Sequence, residues 1–281
     1  FNFLYYIPTY YECMYVTMHE VFQIIMVQKK IFIFLGTTAE LIKLLPIIRE
    51  LNRRHKVFKI ITSGQNDIHF EEYSSMMGKV TIIGAVTPKS KKSSILAFLI
   101  WTCRTFFSLL LGMNYNFHGL NKTNSLFIVH GDTVSSLMGS LVASIYGLTL
   151  IHIESGLRSY NFFEPFPEEF CRYIISRLAD IHFCPNEWSM ENLSNVKGEK
   201  INTYQNTLCE TFLLVMKAKS HHPLVFRMLR QKKKYFVLVI HRQEHVLFGK
   251  QGTKEMMKFI LNIAPKSLQC LFLIHDISSS F

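Results

Sequence analysis

Four glutamates and two arginines crowd the segment HIESGLRSYNFFEPFPEEFCR, from His152 to Arg172, in a chain with 20 acidic residues against 31 basic ones. Glu154 ends the apolar run LTLIHIE. Glu168 and Glu169 follow a Pro-x-Pro turn and open a helical pattern. Upstream, Asp132 follows a second apolar run, SLFIVHGD. Carboxylates at the ends of buried strands and at the start of a helix can move protons and offset developing positive charge, provided they share one site. Each also has an ordinary use. Asp132 or Thr133 can cap the helix that begins at Val134. Glu168 suits a first helical turn, where the dipole favours an acid. A carboxylate at the end of a buried strand needs a partner or a solvent-filled cleft, and Arg158 is the candidate partner for Glu154.

These residues must be positioned by the elements around them. Strands alternate with helices along the chain, which predicts an α/β fold with a parallel sheet covered on both faces. KIFIFLG is a continuous apolar run, as expected of a strand buried on both sides. It turns at Gly36 into a helix for which Thr37 and Glu40 form a capping box. Residues 56–64 and 80–84 read as strands, 66–78 and 95–112 as helices, and 187–196 as a helix after the strand IHFCPN. The pattern restarts near residue 200. Three divisions follow: residues 1–28 as an extra segment outside the core, 29–200 as a Rossmann-like domain, and 201–281 as an incomplete second one. In open parallel sheets, ligands bind beyond the carboxyl ends of the strands. That rule gathers Thr37, Thr38, Gln65, Asp132, Glu154, Glu168, His241 and Arg242 toward one crevice.

Bulk properties narrow the function classes. The net charge of +11 suits an anionic partner. The basic clusters sit in loops and at helix ends, with no nucleic-acid-binding motif, so they read first as solvated faces, then as attraction for a phosphorylated substrate, and last as a nucleic-acid surface. The six cysteines are scattered, with no CxxC pair, which reads as reduced thiols in a cytoplasmic protein rather than a metal site. The apolar stretch 95–113 carries Arg104 at its centre, so a core helix is expected and not a membrane span. A glycine-rich dinucleotide fingerprint, a P-loop lysine motif, HExxH and G-x-S-x-G are all absent.

The strings GTTAELIKLLPIIREL, TSGQ, VHGDTVSS, HIESGLRS, PFPEEFCRYIISRLADIHFCPNEWSMENL, Asn206-Thr207 and IHRQE, in this order and spacing, resemble the non-hydrolysing UDP-N-acetylglucosamine 2-epimerases. The resemblance implies two Rossmann-like domains facing a cleft, as in GT-B glycosyltransferases, the second incomplete here. It implies interconversion of UDP-N-acetylglucosamine and UDP-N-acetylmannosamine. A UDP-sugar substrate, no cofactor and no metal, a cytoplasmic homodimer and a role in polysaccharide synthesis go with it. Asp132, Glu154 and Glu168 become acid/base carboxylates, and His241 a catalytic or phosphate-contacting residue. Arg242 would hold the diphosphate. Thr37, Thr38, Gln65 and Arg158 would line the substrate site.

The chain departs from the family pattern at several points. Thr38-Ala39 stands where Arg-Pro is usual, which removes or replaces one phosphate contact. Asn66 follows Gln65 where histidine is common, and Glu210 stands where aspartate is usual. The glycine-rich loop that holds uridine would fall beyond Phe281. A hydrolysing relative that releases UDP and N-acetylmannosamine, and an inactive fragment or binding module, are the alternative readings.

Overall fold

The computed structural model describes residues 30–83, 95–217, 234–239 and 250–273. The segment 1–28 lies outside the described residues.

The apolar run at the start of the described chain forms β1 (Lys30–Leu35), in which every residue after Lys30 is buried. Its alternating side chains feed two separate cores. Ile31, Ile33 and Leu35 point to one face, with Leu41, Leu44, Leu45 and Ile48 of α1 (Thr38–Arg53). Phe32 and Phe34 point to the other. Period-2 alternation of a strand buried on both sides requires this, because neither face can be left polar. The chain continues through β2 (Phe58–Thr62), α2 (Phe70–Met77) and β3 (Thr81–Ile83). Next come α3 (Ile95–Phe117), β4 (Ser125–His130), α4 (Val134–Ile145) and β5 (Thr149–Ile153). Then α5 (Glu168–Leu178), β6 (Ile181–Cys184), α6 (Glu187–Glu191), β7 (Glu199–Asn202) and α7 (Thr207–Lys217) follow.

The seven strands form one parallel sheet in the order β3-β2-β1-β4-β5-β6-β7. Helices α1 and α2 lie over one face, and α3, α4 and α5 over the other. Strand order reverses between β1 and β4, so the loops leaving those two strands diverge and open a crevice at their carboxyl ends. The strand at 199–202 pairs with β6, and the Thr211 hydroxyl of α7 donates to the Ile42 carbonyl of α1 at 2.7 Å. The described residues up to Val215 therefore group in one compact unit and the later ones in another. In the second unit, β8 (Tyr235–Val239) and β9 (Gln269–Leu273) pair in parallel, with α8 (Lys250–Ile263) between them in sequence.

Three helices differ from their expected lengths; α2 covers only Phe70–Met77 of the expected 66–78. α3 runs on to Phe117, whose ring packs edge-on against Phe32 and Phe127 at centroid separations of 4.9 and 5.9 Å. Beyond Glu191 the α6 backbone tightens into turns bonded three residues back, with the Leu193, Ser194 and Val196 N–H groups donating to the Met190, Glu191 and Leu193 carbonyls at 3.0, 3.0 and 2.9 Å. Among the described residues no helix is long and apolar enough to cross a membrane. Trp101, Leu109 and Phe117 of α3 lie in the core beside the sheet.

The crevice is set by a buried acid. Glu40 is only 3% exposed, and both of its oxygens are saturated. Oε2 accepts from the N–H groups of Gly36 and Thr37 at 2.7 and 2.8 Å, and Oε1 from the hydroxyls of Thr133 and Ser136 at 2.6 and 2.7 Å. The Thr37 hydroxyl oxygen in turn accepts from the Glu40 N–H at 3.2 Å, completing the expected capping box. One carboxylate thus ties the loop after β1 to the loop after β4. Gly36 leaves room for this junction: a Cβ there would lie 2.0 Å from Ser135 Oγ and 2.4 Å from Ser63 Oγ. Replacing Glu40 with Ala removes the acceptor of the Gly36 and Thr37 N–H groups and of the Thr133 hydroxyl, while the Ser136 hydroxyl keeps the His130 carbonyl at 2.6 Å. We expect it to cost about 2–4 kcal/mol, read as a lower urea midpoint at unchanged m-value. A loss below about 0.5 kcal/mol would show that the two loops hold their positions without it.

Candidate active site

Glu154 leaves β5 with φ +63°, a left-handed conformation that costs a non-glycine residue about 1 kcal/mol or more. Its side chain is 10% exposed and fully engaged. The Lys43 ammonium, from α1, lies 2.9 and 2.7 Å from the two carboxylate oxygens. Asn206, just before α7, donates to Oε1, and His130 Nδ1 stands 3.6 Å from Oε2. The turn is possible because Gly156 follows, with φ +85°. A Cβ at Gly156 would sit 2.1 Å from the Ser189 carbonyl oxygen. The expected Arg158–Glu154 pair is not formed, because Lys43 occupies that role.

Arg158 instead pairs with Glu169, its Nε 2.5 Å from Oε1. Glu169 is fully buried and also accepts from the Ser159 N–H at 2.9 Å, with Arg172 at 3.5 Å. Burial alone would raise its pKa. The Ser159 N–H and the Arg158 guanidinium outweigh that and hold the carboxyl below its ordinary value. Arg172 then reaches across to Asp132, Nη2 to Oδ2 at 2.5 Å. Thr133, not Asp132, caps α4 by accepting from the Ser136 N–H at 3.0 Å. Asp132 is thereby left for the crevice, with its side chain 27% exposed.

Glu168 is the first residue of α5 and half-buried. It and Asp132 flank the same buried thiol. Burial, then the charges of Asp132 and Glu168, push Cys171 up to about 12, so that thiol stays protonated. The Asp132 loop in turn borders Glu154: a Cβ on Gly131 would lie 3.4 Å from Glu154 Oε2. Asp132 and Glu154 therefore stand on adjoining loops at the carboxyl ends of β4 and β5, and Glu168 opens α5 after the loop that leaves β5. Thr37 is the N-cap of α1 and Thr38 its first, half-buried residue. Gln65 accepts from the Ser135 hydroxyl and, at 3.2 Å, from its N–H, which joins the β2 loop to α4. His241 and Arg242 lie outside the described residues. Among those described, no group of three His, Cys, Asp or Glu side chains could hold a metal ion.

Matching to a family model decides what the chain is related to: residues 120–280, more than half of it, match the model for UDP-N-acetylglucosamine 2-epimerase. The chain belongs to this family. It is 29% identical over 245 residues to the UDP-N-acetylglucosamine 2-epimerase of Campylobacter jejuni, covering 83% of this chain and 61% of that one. It is 26% identical over 224 residues to that of Bacillus subtilis, covering 77% and 55%. The chain thus spans about three fifths of the length of the curated relatives it matches. The same α/β fold occurs in the Methanocaldococcus jannaschii UDP-GlcNAc 2-epimerase solved with UDP-GlcNAc and UDP. That structure has a TM-score of 0.71 at 22% identity, covering 89% of this chain and 67% of that one. The Neisseria meningitidis enzyme bound to UDP-GlcNAc gives 0.69 at 22%, covering 88% and 66%.

Reading for family motifs overlooked two contacts that the fold supplies. Lys43 sits on α1 within the string GTTAELIKLLPIIREL, where it carried no role. Asn206 belonged to a quoted motif without a role. Beside Glu154, the cavity is lined by Ile47, Phe183, Thr203, Asn206, Thr207 and Glu210. Glu210 is 7% exposed; burial, aided by the charge of Glu50, pushes it up to about 7. A carboxyl raised in the folded state favours the protonated form. Its contribution is therefore intact below the ordinary value near 4.5 and is lost as pH rises toward 7. We expect Glu210→Gln to stabilise the protein on the order of 1–3 kcal/mol more at pH 8 than at pH 5, by urea unfolding. An effect equal at both pH values would show that Glu210 is charged in the native state throughout.

Proposed function

We propose that this chain supplies the acid/base half of a UDP-N-acetylglucosamine 2-epimerase that works by elimination and re-addition of UDP. The reading is supported by three carboxylates at neighbouring element ends, Asp132 after β4, Glu154 after β5 and Glu168 at the start of α5, with Lys43 paired to Glu154 and Arg172 to Asp132. The chemistry explains why such a cluster is needed. The C2 proton of the sugar is not next to a carbonyl, so it cannot be removed directly. Breaking the anomeric C–O bond sends its electron pair to the UDP oxygen and leaves an electron-poor C1. A carboxylate then takes the C2 proton, and the C2–H pair becomes the C1–C2 double bond of 2-acetamidoglucal. Return of a proton to the opposite face of C2, with UDP oxygen adding to C1, gives the epimer.

Carboxylates serve this sequence twice, as proton carriers and as negative charge beside the electron-poor ring. The relatives named for this reaction support the substrate. His241 and Arg242 join the proposal through the IHRQE motif, as the groups that meet the diphosphate. Thr37, Thr38, Gln65 and Arg158 join the proposal as residues that line the substrate site, with Thr38 standing where the family's arginine is usual. The reading carries with it a cytoplasmic homodimer.

Incubation with UDP-N-acetylglucosamine in D2O should place one deuterium at C2 in both epimers, seen by mass spectrometry and NMR. Glu154→Gln and Asp132→Asn should each slow that exchange by about 100-fold or more. Accumulation of free UDP with N-acetylmannosamine would assign a hydrolysing reaction instead. No exchange by the folded protein would overturn the reading.

A further inference from the structure

Two histidines that the proposed reaction does not use lie beneath the carboxylate loops. His130 ends β4 and His152 lies one residue before the end of β5; each is 1% exposed. The strands are parallel neighbours, with Val129 opposite His152 and His130 opposite Ile153. Each imidazole reaches across to the other strand's loop. His152 Nε2 is 2.7 Å from the Gly131 carbonyl oxygen, the residue before Asp132. His130 Nδ1 lies 3.6 Å from Glu154 Oε2. That is too long for a hydrogen bond but within packing contact.

We propose that His152 is a positioning residue for Asp132, with His130 as its counterpart beneath Glu154. This rests on the acid/base reading above. The Gly131 carbonyl belongs to the same rigid peptide plane as the Asp132 nitrogen. Gly131 N–H donates to the Ile153 carbonyl at 2.9 Å, so both polar groups of Gly131 are tied to β5. The two peptide planes that meet at the Gly131 Cα are thus both anchored to β5, one through the Gly131 N–H and the next through its carbonyl, which restrains where the backbone delivers Asp132 beside Arg172. A carbonyl can only accept, so His152 carries its proton on Nε2. Its Nδ1 is then a buried lone pair with no hydrogen-bond partner among the described residues.

A charged imidazole would need a second acceptor at Nδ1 that the site does not offer. In agreement, burial first, with His182 and His130 adding to it, pushes His152 down to about 3 against the Gly131 bond and Glu154. The brace therefore keeps one hydrogen bond and one tautomer across the range in which carboxylate chemistry operates.

The test has two arms. In the unsubstituted protein, long-range imidazole ¹H–¹⁵N spectra should show His152 as the neutral Nε2–H tautomer from pH 5 to 8. An Nδ1–H tautomer, or protonation within that range, overturns the inference. In the deuterium-exchange assay, His152→Leu should lower kcat about 10- to 100-fold with KM held within about threefold, as expected when a reacting group is mis-aimed while binding is retained. His152→Gln, which can still present an N–H toward Gly131, should recover most of that loss. Equal losses in both variants, or a loss in KM alone, would overturn it. If the unsubstituted protein exchanges nothing at C2, the functional reading fails, and the tautomer spectrum alone decides the brace.

Discussion

A carboxylate at the end of a buried strand must be answered by a positive or donating group, and the way Glu154 is answered organises the rest of this site. Desolvating an unpaired carboxylate costs several kcal/mol. Here the answer comes from elements distant in sequence: Lys43 on α1 and Asn206 before α7. Those contacts are possible only if α1 lies over β5 and the α7 segment returns to the same face. The same Glu154 contacts bring α1 and the chain before α7 to the crevice, and the Thr211 hydroxyl seals α7 to α1 a turn further on. Electrostatic satisfaction of one site residue and closure of the domain are the same set of contacts.

The acids divide by how completely their lone pairs are used. Glu40 and Glu169 are buried and saturated, by donors from the β1 and β4 loops in the first case and by Arg158 and the Ser159 N–H in the second. Such carboxylates hold loops and have no capacity left for a substrate. Asp132 is answered by Arg172 and keeps a side chain 27% exposed, whereas Glu154 is held by Lys43 and Asn206 at the edge of the cavity. The arginines mark the boundary between the two kinds, since Arg172 touches Glu169 with one amino group and Asp132 with the other. A rigid structural pair is thus extended by one bond into the site, which orients Asp132 with a guanidinium whose geometry is already fixed.

The fold and the site differ in how far the sequence disclosed them. Strands such as β1 and β4 were legible because burial on both faces forces an unbroken apolar run. The capping box at Thr37 and Glu40 was legible because it is a local pattern. What the sequence left undetermined is tertiary. Arg158 was the nearest cation to Glu154 in the chain, yet Gly156 and the positive φ of Glu154 turn the backbone so that Arg158 faces α5 and meets Glu169. Lys43 was indistinguishable from a solvated helix lysine, because its partner lies 111 residues away. Local spacing identifies which side chains leave a strand end; it does not say which helix will supply their counter-charge.

The left-handed conformation of Glu154 follows from the same geometry. A residue that simply continued β5 would carry its side chain onto the sheet face that Leu150 occupies, opposite Ile151 and Ile153, and into the core there. Turning φ to +63° lifts the carboxylate over the strand end, within reach of Lys43 and above His130. The cost of that conformation is on the order of 1 kcal/mol, smaller than the cost of burying the charge in the core. The Ser155 N–H bond to the Phe183 carbonyl at 2.9 Å restores the ladder immediately afterwards, so the distortion is confined to one residue. Glycine at this position would relieve the strain and remove its purpose, which is to place a carboxylate where a strand would otherwise end in backbone.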